Sequence, residues 1–147
     1  DLARVRPLMT PLATRVTHMG PAGAGQLTKL VNQILSGGTM ALVAEAVAYA
    51  RHAGVDAAKL PEALAGGFAD SRPFQLLAPR MASEDFADPL GTVAMMLKDL
   101  DTVAKVGGET AQLPMTDAAR ALLRRTCDMG HAQDDISTMV LALKGPA

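Results

Sequence analysis

The chain has 147 residues, of which 49% are hydrophobic and 20% are charged, and its formal net charge is -1. This composition predicts one globular domain with a sizeable core and excludes intrinsic disorder. No run of Lys and Arg exceeds two residues, so we expect neither nucleic acid nor an anionic membrane surface as a partner. The single cysteine, Cys127, excludes an internal disulfide and predicts a reducing, cytoplasmic location.

Metal sites and membrane spans also lack support in the sequence. His18, His52 and His131 lie far apart, and none belongs to a pair with ligand spacing, so we expect no metal site. The most apolar stretch, from Met40 to Ala50, is interrupted by Glu45. It falls short of the roughly 20 apolar residues that a bilayer span requires, so we expect no membrane partner.

The first nineteen residues differ from the rest of the chain. Apolar residues between Leu2 and Met9 predict the end of a helix, and Arg15–His18 alternate as a short strand does. No later segment has comparable β character, so this strand would pair with a sheet outside the chain or remain unpaired. The chain also opens at Asp1 without an initiator methionine. We therefore expect residues 1–19 to be the tail of a missing domain and residues 20–147 to form the domain proper.

The remainder is predicted to be a succession of helices. The first runs from about Gln26 to Ala53 and ends at Gly54. Shorter helices follow, with predicted starts after Asp56, after Ser71, near Leu90, at Pro114 and near Ile136. The predicted fold is an all-α, multi-helix bundle around one long buried helix. A helix longer than its own domain often crosses a subunit interface, which predicts a homodimer or homotetramer.

A polar stripe marks the beginning of the long helix. At about 100° per residue, Lys29, Asn32, Gln33 and Ser36 lie within an arc of roughly 100° on one face. The other faces are apolar, so we expect most of the helix to be buried. A buried lysine, two amides and a hydroxyl would carry a desolvation cost, and that cost calls for a functional reason.

The glycine-rich hinge before this helix, Gly20–Gly25, invites comparison with phosphate-binding loops, but it matches neither template. Gln26 stands where a P-loop would have its lysine, and the third glycine of a dinucleotide fingerprint would fall on Thr28. On spacing alone, the glycines are as well explained by a structural linker, with Lys29 reaching solvent.

A second candidate is the sequence Lys98-Asp99-Leu100-Asp101, on the helix predicted to begin near Leu90. Lys98 and Asp101 have i, i+3 spacing, and Asp101 and Lys105 have i, i+4 spacing. Pairs of this kind are typical of a solvated helix face and are worth tenths of a kcal/mol. Taken by itself, the motif indicates no function.

Together, the stretch from Gly20 to Gln33, followed about 65 residues later by Lys98-Asp99-Leu100, resembles the C-terminal domain of the β-hydroxyacid dehydrogenases. That family includes 3-hydroxyisobutyrate dehydrogenase and tartronate semialdehyde reductase. The resemblance covers essentially the whole chain and implies that residues 1–19 are a helix-strand remnant of a missing Rossmann domain. It further implies an oxidoreductase that acts on a small 3-hydroxy acid or its semialdehyde. NAD or NADP would be bound mainly by the missing domain, and the helical domain would build dimers or tetramers.

The resemblance also assigns roles to residues. Lys29 matches the catalytic lysine, Asn32 the asparagine that holds substrate, and Lys98 the lysine placed near the cofactor. Gly25 and Gln33 are further substrate-binding candidates, although some relatives have asparagine in place of Gln33. A lysine beside the reacting carbonyl can stabilise alkoxide charge and exchange the hydroxyl proton. The fragment by itself, without a dinucleotide fingerprint, should be inactive.

Two alternatives stay open. One is a helical dimerisation module without an active site, in which Lys29 is incidental. If Lys29 and Lys98 lay on opposite surfaces, that reading would gain support, whereas one shared cleft would favour an active site. The other is a 6-phosphogluconate dehydrogenase-type enzyme acting on a phosphorylated acid. The lack of an evident basic cluster for phosphate argues mildly against it.

Overall fold

The computed structural model describes residues 2–9 and 11–144, and every element within them is helical. The all-α prediction is therefore confirmed. In chain order the elements are α1 (Leu2–Met9), α2 (Ala24–His52), a 3-10 turn (Ala57–Lys59) leading into α3 (Leu60–Leu64), α4 (Arg72–Ser83), α5 (Val93–Gly107), α6 (Pro114–Thr126), a π-helical turn (Cys127–His131) and a C-terminal 3-10 helix (Ile136–Leu143).

Local sequence signals set most of the helix boundaries. Four helical elements begin just after a side chain that accepts a hydrogen bond from a backbone N–H of the first turn: Asp56, Ser71, Thr92 and Asp135. Such caps satisfy donors that the helix itself leaves free. Helix α2 has no side-chain cap and begins after Gly23, whose φ of 95° lies in the left-handed region that favours glycine.

Helix α2 is the central element of the bundle. It packs against α4, α5, α6 and the C-terminal 3-10 helix. The buried side of α2 consists of small and branched residues, which let these neighbours approach closely: Gly37, Val43, Ala44, Val47 and Ala50. The core therefore lies along one side of a single 29-residue helix.

The opposite side of α2 is open to solvent. Five large side chains form an apolar stripe along it: Leu27, Val31, Leu35, Leu42 and Tyr49. At 100° per residue they fall within an arc of about 80°, and the exposed fractions of Leu35 and Tyr49 are 65% and 71%. The prediction that most of α2 is buried is therefore wrong for this chain, because no described element packs on this side.

By length and composition, α2 could also cross a membrane. The prediction that no apolar segment approaches the length of a bilayer span is therefore wrong, since a single Glu45 does not exclude a span. The core helix of a globular bundle passes the same test, and α2 packs against four other helical elements here. The absence of a membrane partner stays a prediction.

The N-terminal segment stands apart from the core. Val5, Leu8 and Met9 of α1 are exposed, and the buried cluster contains none of residues 4–9. The strand predicted at Arg15–His18 is not formed, because residues 15–19 have no backbone partner within the described chain. Its pairing with an external sheet stays a prediction, as does the division between residues 1–19 and 20–147.

Asp135 ties the C-terminal 3-10 helix to the loop before α5. Its buried carboxylate accepts hydrogen bonds from the backbone N–H groups of Leu90, at 2.6 Å, and Ser137, at 2.9 Å. The Nε atom of Arg80 lies 3.5 Å from the same carboxylate. Burial acts to raise the pKa of Asp135, but hydrogen bonds from Ser137 and Leu90 and the charge of Arg80 outweigh it, so the pKa lies below its usual value.

We expect Asp135→Ala to lower the free energy of unfolding by about 3 kcal/mol, because it removes the buried carboxylate that faces the half-buried Arg80 and leaves two backbone donors without their acceptor. The matched control is Asp134→Ala, which removes a more exposed carboxylate paired with His131 and should cost at most about 1 kcal/mol. Urea unfolding followed by circular dichroism measures both. Equal losses in the two variants would contradict the role of Asp135.

The lowered pKa fixes the sign of the pH dependence. A carboxyl whose pKa falls on folding contributes its full stabilisation above its unfolded pKa, and this contribution is lost as the pH falls through the folded pKa. The stability gap between the wild type and Asp135→Ala should therefore be constant near neutral pH and shrink below about pH 4.

Candidate functional site

The polar stripe of α2 lies at the surface. Lys29 and Asn32 are exposed, and Gln33 is half-buried. The expected desolvation cost is therefore absent for Lys29 and Asn32, because both side chains are exposed, although the same side of α2 is buried further along the helix, at Val43 and Val47. What distinguishes the stripe is a set of hydrogen bonds made by two of its members.

Two helices are joined by these contacts. The Gln33 amide donates through Nε2 to Oδ2 of Asp99 on α5, at 2.5 Å, and accepts through Oε1 a hydrogen bond from Nδ2 of Asn32, at 3.2 Å. The other oxygen of Asp99, Oδ1, lies 3.2 Å from Nζ of Lys98. We call these four residues, Asn32, Gln33, Asp99 and Lys98, the amide-carboxylate network.

The network brings the two sequence motifs together. Lys98 is linked through Asp99 to Gln33, and Lys29 lies one helical turn before Gln33 on the same face of α2. The network thus connects the two motifs at Gln33, and the approach of Lys29 to Lys98 in one cleft stays a prediction. The Lys98 side chain is 73% exposed, so its ammonium stays accessible to a ligand on this face.

Asp99 is the connecting residue, and sequence reasoning treated it only as part of the Lys98 motif. One signal could have identified it. Asp99 lies between Met96 and Val103 at helical spacing, next to the apolar side of α5. A carboxylate that borders a packed helix face is positioned to reach across to the neighbouring helix.

Close packing of α5 on α2 makes this bridge possible. Gly37 lies one turn after Gln33, and a Cβ atom added to it would be 2.9 Å from Cδ1 of Leu100. Leu100 is fully buried and follows Asp99 directly. The missing side chain at position 37 therefore lets the two helices approach where the Gln33–Asp99 hydrogen bond forms.

A small cavity opens beside the network. It has a volume of about 150 Å³ and is lined by Gln33, Asp99 and mainly apolar residues, among them Met40, Leu77 and Met96. Ligand pockets for drug-sized molecules are typically larger, from about 300 Å³ upward. The cavity therefore suits a small group with one polar end.

Gly25 is the candidate that the structure leaves unconnected. It lies in the first turn of α2, and an added Cβ would meet no atom of the described chain within 4 Å. Packing within this chain does not require glycine at this position. Its role in binding substrate stays a prediction.

Other parts of the described chain contain no stronger candidate for a functional site. No group of three or more His, Cys, Asp or Glu side chains among residues 2–9 and 11–144 could hold a metal ion. A larger groove of about 650 Å³ lies at the far end of α2. Two of its lining cations, Arg51 and Lys144, are already paired with Glu84. The groove contains no residue of either motif.

Comparison with known proteins identifies relatives of this chain. Residues 23–143 match a family model described as the NAD-binding domain of NADP-dependent 3-hydroxyisobutyrate dehydrogenase. The 2-hydroxy-3-oxopropionate reductase of Escherichia coli is 34% identical over 142 residues, which cover 96% of this chain and 48% of the relative. The L-threonate dehydrogenase of Cupriavidus necator is 29% identical over 140 residues, with 94% and 47% covered.

Solved structures show the same similarity. The 3-hydroxyisobutyrate dehydrogenase of Salmonella typhimurium superposes with a TM-score of 0.86 at 25% identity, over 95% of this chain and 50% of that one. The Mycobacterium tuberculosis 3-hydroxyisobutyrate dehydrogenase, solved with L-serine, has a TM-score of 0.79 at 28% identity, over 98% and 52%. This chain thus spans about half the length of the curated relatives it matches.

We expect Gly37→Val to reduce the free energy of unfolding by about 1–3 kcal/mol, because the new side chain overpacks against Leu100. The matched control is Gly38→Val. Its added Cβ meets no atom within 4 Å, so this variant should stay within about 0.5 kcal/mol of the wild type. Chemical unfolding of both variants measures the difference. Equal stabilities would contradict the close contact at Gly37.

Proposed function

The chain belongs to the 3-hydroxyisobutyrate dehydrogenase family, and we propose that it is the C-terminal domain of an NAD(P)-dependent oxidoreductase acting on a small 3-hydroxy acid or its semialdehyde. The observation that carries the proposal is the amide-carboxylate network, which links the Lys98 motif to the face of α2 that holds Lys29. In this proposal residues 1–19 are the end of an N-terminal Rossmann domain, residues 20–147 form the substrate and dimerisation domain, and the fragment alone is inactive.

In the proposed reaction, Lys29 is the acid/base. Bound NAD(P) supplies the hydride acceptor, and the substrate alcohol loses hydride from carbon and a proton from oxygen to become a carbonyl. A neutral Lys29 amine would take that proton, and its ammonium would return it in the reverse direction. The ammonium would also stabilise negative charge on the oxygen during the transfer. Exposure of Lys29 near the start of α2 is consistent with a ligand that approaches this end of the helix.

Asn32, Gln33 and Gly25 are proposed to bind the substrate, and Lys98 the cofactor. Asn32 is held by Gln33, so its amide is oriented before a ligand arrives. The Lys98 ammonium contacts one oxygen of Asp99 and has further donors for an acceptor group on NAD or NADP. The cavity of about 150 Å³ beside Gln33 supports a small substrate.

We further propose that the protein is a homodimer or homotetramer in which the apolar stripe of α2 is covered by a second copy. The stripe extends from Leu27 to Tyr49, about 33 Å at 1.5 Å per residue. Five large exposed side chains on one helix face form the kind of apolar patch that marks a protein interface. A C2 axis would allow the same stripe to serve both copies.

A cytoplasmic location completes the proposal. It rests on the single, half-buried cysteine, Cys127, since proteins of oxidising compartments commonly carry disulfides. The near-neutral balance of charge, -1 over 147 residues, supports a small-molecule substrate and not a nucleic acid.

The catalytic proposal is tested with Lys29→Ala in the protein that includes the nucleotide-binding domain. We expect kcat for a 3-hydroxy acid to fall by about 10²- to 10⁴-fold, because no group remains to exchange the proton. Lys29→Arg should also be slow, since a guanidinium keeps its proton. Lys59→Ala, which removes an exposed lysine paired with Asp56, serves as the control. Nicotinamide absorbance follows turnover, and a Lys29→Ala enzyme within a few fold of wild type would refute the assignment.

The assembly proposal is tested with Leu42→Asp, which places a charge in the middle of the apolar stripe. We expect the solution mass, measured by light scattering, to shift from oligomer toward monomer. Met115→Asp changes a similarly exposed residue on α6, 69% against 63% for Leu42, and should leave the mass unchanged. A monomeric wild type, or an unaltered mass for Leu42→Asp, would contradict assembly through this stripe.

A further inference from the structure

The amide-carboxylate network has a fixed polarity that begins at Asp99. An ionised carboxylate can only accept hydrogen bonds, so the Gln33 amide must turn its Nε2 group toward Asp99. Its oxygen, Oε1, then faces the other way and accepts from Nδ2 of Asn32. One carboxylate on α5 thereby orients two side-chain amides on α2.

The order of donors and acceptors continues to Asn32. Because Nδ2 is directed toward Gln33, the carbonyl oxygen Oδ1 of Asn32 is directed away from it. Within the described residues no hydrogen bond to this oxygen is formed, and Asn32 is exposed. A reversed amide would require two N–H groups or two oxygens to face each other, which loses a hydrogen bond.

We propose that Asp99 is a positioning residue that makes Asn32 present a hydrogen-bond acceptor to the ligand. A group bound at Oδ1 must be a donor. In the bound ground state the hydroxyl of a 3-hydroxy acid can donate to Oδ1, before it turns to Lys29 for the proton transfer, whereas the carbonyl of the semialdehyde has no hydrogen to donate there. Asp99 thus biases the site toward the alcohol form of the substrate pair. The inference rests on the proposed function and concerns how the same site distinguishes its two ligands.

Asp99→Asn is the decisive substitution, because an amide at position 99 can pair with either orientation of Gln33. Binding is measured in the protein with its nucleotide-binding domain, in two complexes that cannot react: 3-hydroxyisobutyrate with reduced cofactor, and the corresponding semialdehyde with oxidised cofactor. We expect the Kd of the hydroxy acid to rise about five- to tenfold, the loss of one hydrogen bond. The Kd of the semialdehyde should change less than twofold.

A double substitution separates orientation from charge. In Gln33→Glu with Asp99→Asn, the carboxylate is moved to position 33, where it accepts from both Asn32 and the new amide at position 99. The direction of the Asn32 amide is thereby restored, while Lys98 stays without its carboxylate. We expect hydroxy-acid affinity to return to within about threefold of wild type. Gln33→Glu alone, in which two carboxylates face each other, should bind the hydroxy acid weakly.

The control is Asp101→Asn, a carboxylate on the same helix that pairs with Arg120 and Arg124 outside the network. It should leave both Kd values unchanged. Equal weakening of both ligands by Asp99→Asn, or no recovery in the double variant, would overturn the inference. The wild type, Asp99→Asn, Gln33→Glu and the double variant are also unfolded in urea. The coupling free energy between positions 33 and 99 then measures the hydrogen bond between the two helices without any ligand.

The two proposals fail in different ways. If the wild type binds neither ligand while the unfolding cycle shows coupling, the proposed function is refuted and with it the preference for the alcohol. If the wild type binds both ligands and the cycle shows no coupling, the proposed function stands and the positioning role of Asp99 is refuted.

Discussion

Leu100 is fully buried against α2 at the point where Gly37 has no side chain, and the arrangement of the candidate site follows from this contact. It brings α5 close enough for Asp99 to reach Gln33. Lys98 is brought near α2 by the same contact, because it is the neighbour of Asp99 on α5. A wider separation of the two helices would leave Lys29 and Lys98 as unrelated surface lysines. The functional geometry thus depends on apolar packing one helical turn away.

The side of α2 that faces away from the core is apolar and exposed to solvent. One side supplies the core through small residues and carries the polar stripe in its first turns, while the opposite side carries the apolar stripe. The outer face of a helix in a globular domain is typically charged and polar. An apolar outer face is typical of a helix that packs against other protein, which is the basis of the proposed assembly.

The success of sequence reasoning varied with the range of the interactions. Caps such as Ser71 and Asp135 act within three residues, so their identity and spacing predicted the helix starts well. Burial of α2 depends on which of its faces other helices cover, and composition cannot distinguish a covered apolar face from an open one. The predicted strand at Arg15–His18 failed for a related reason, because strand formation needs a partner that the described chain does not supply.

The same difference between local and long-range interactions applies to the candidate site. Lys29, Asn32 and Lys98 are predicted from motif spacing, which is a local property, whereas the contact between Gln33 and Asp99 joins residues 66 positions apart and could not be predicted in this way. Only the fold brings such residues together. Asp99 resembled a solvated partner of Lys98, and its hydrogen bond across to α2 became visible with the packing of the two helices.

The open apolar stripe of α2 also has a thermodynamic meaning. Area that stays in contact with water adds nothing to the stability of the separate chain, whereas any molecule that covers it binds the folded state alone and shifts the folding equilibrium by mass action. The proposed assembly through this helix face would couple folding to association, and the melting temperature of the protein would then rise with its concentration.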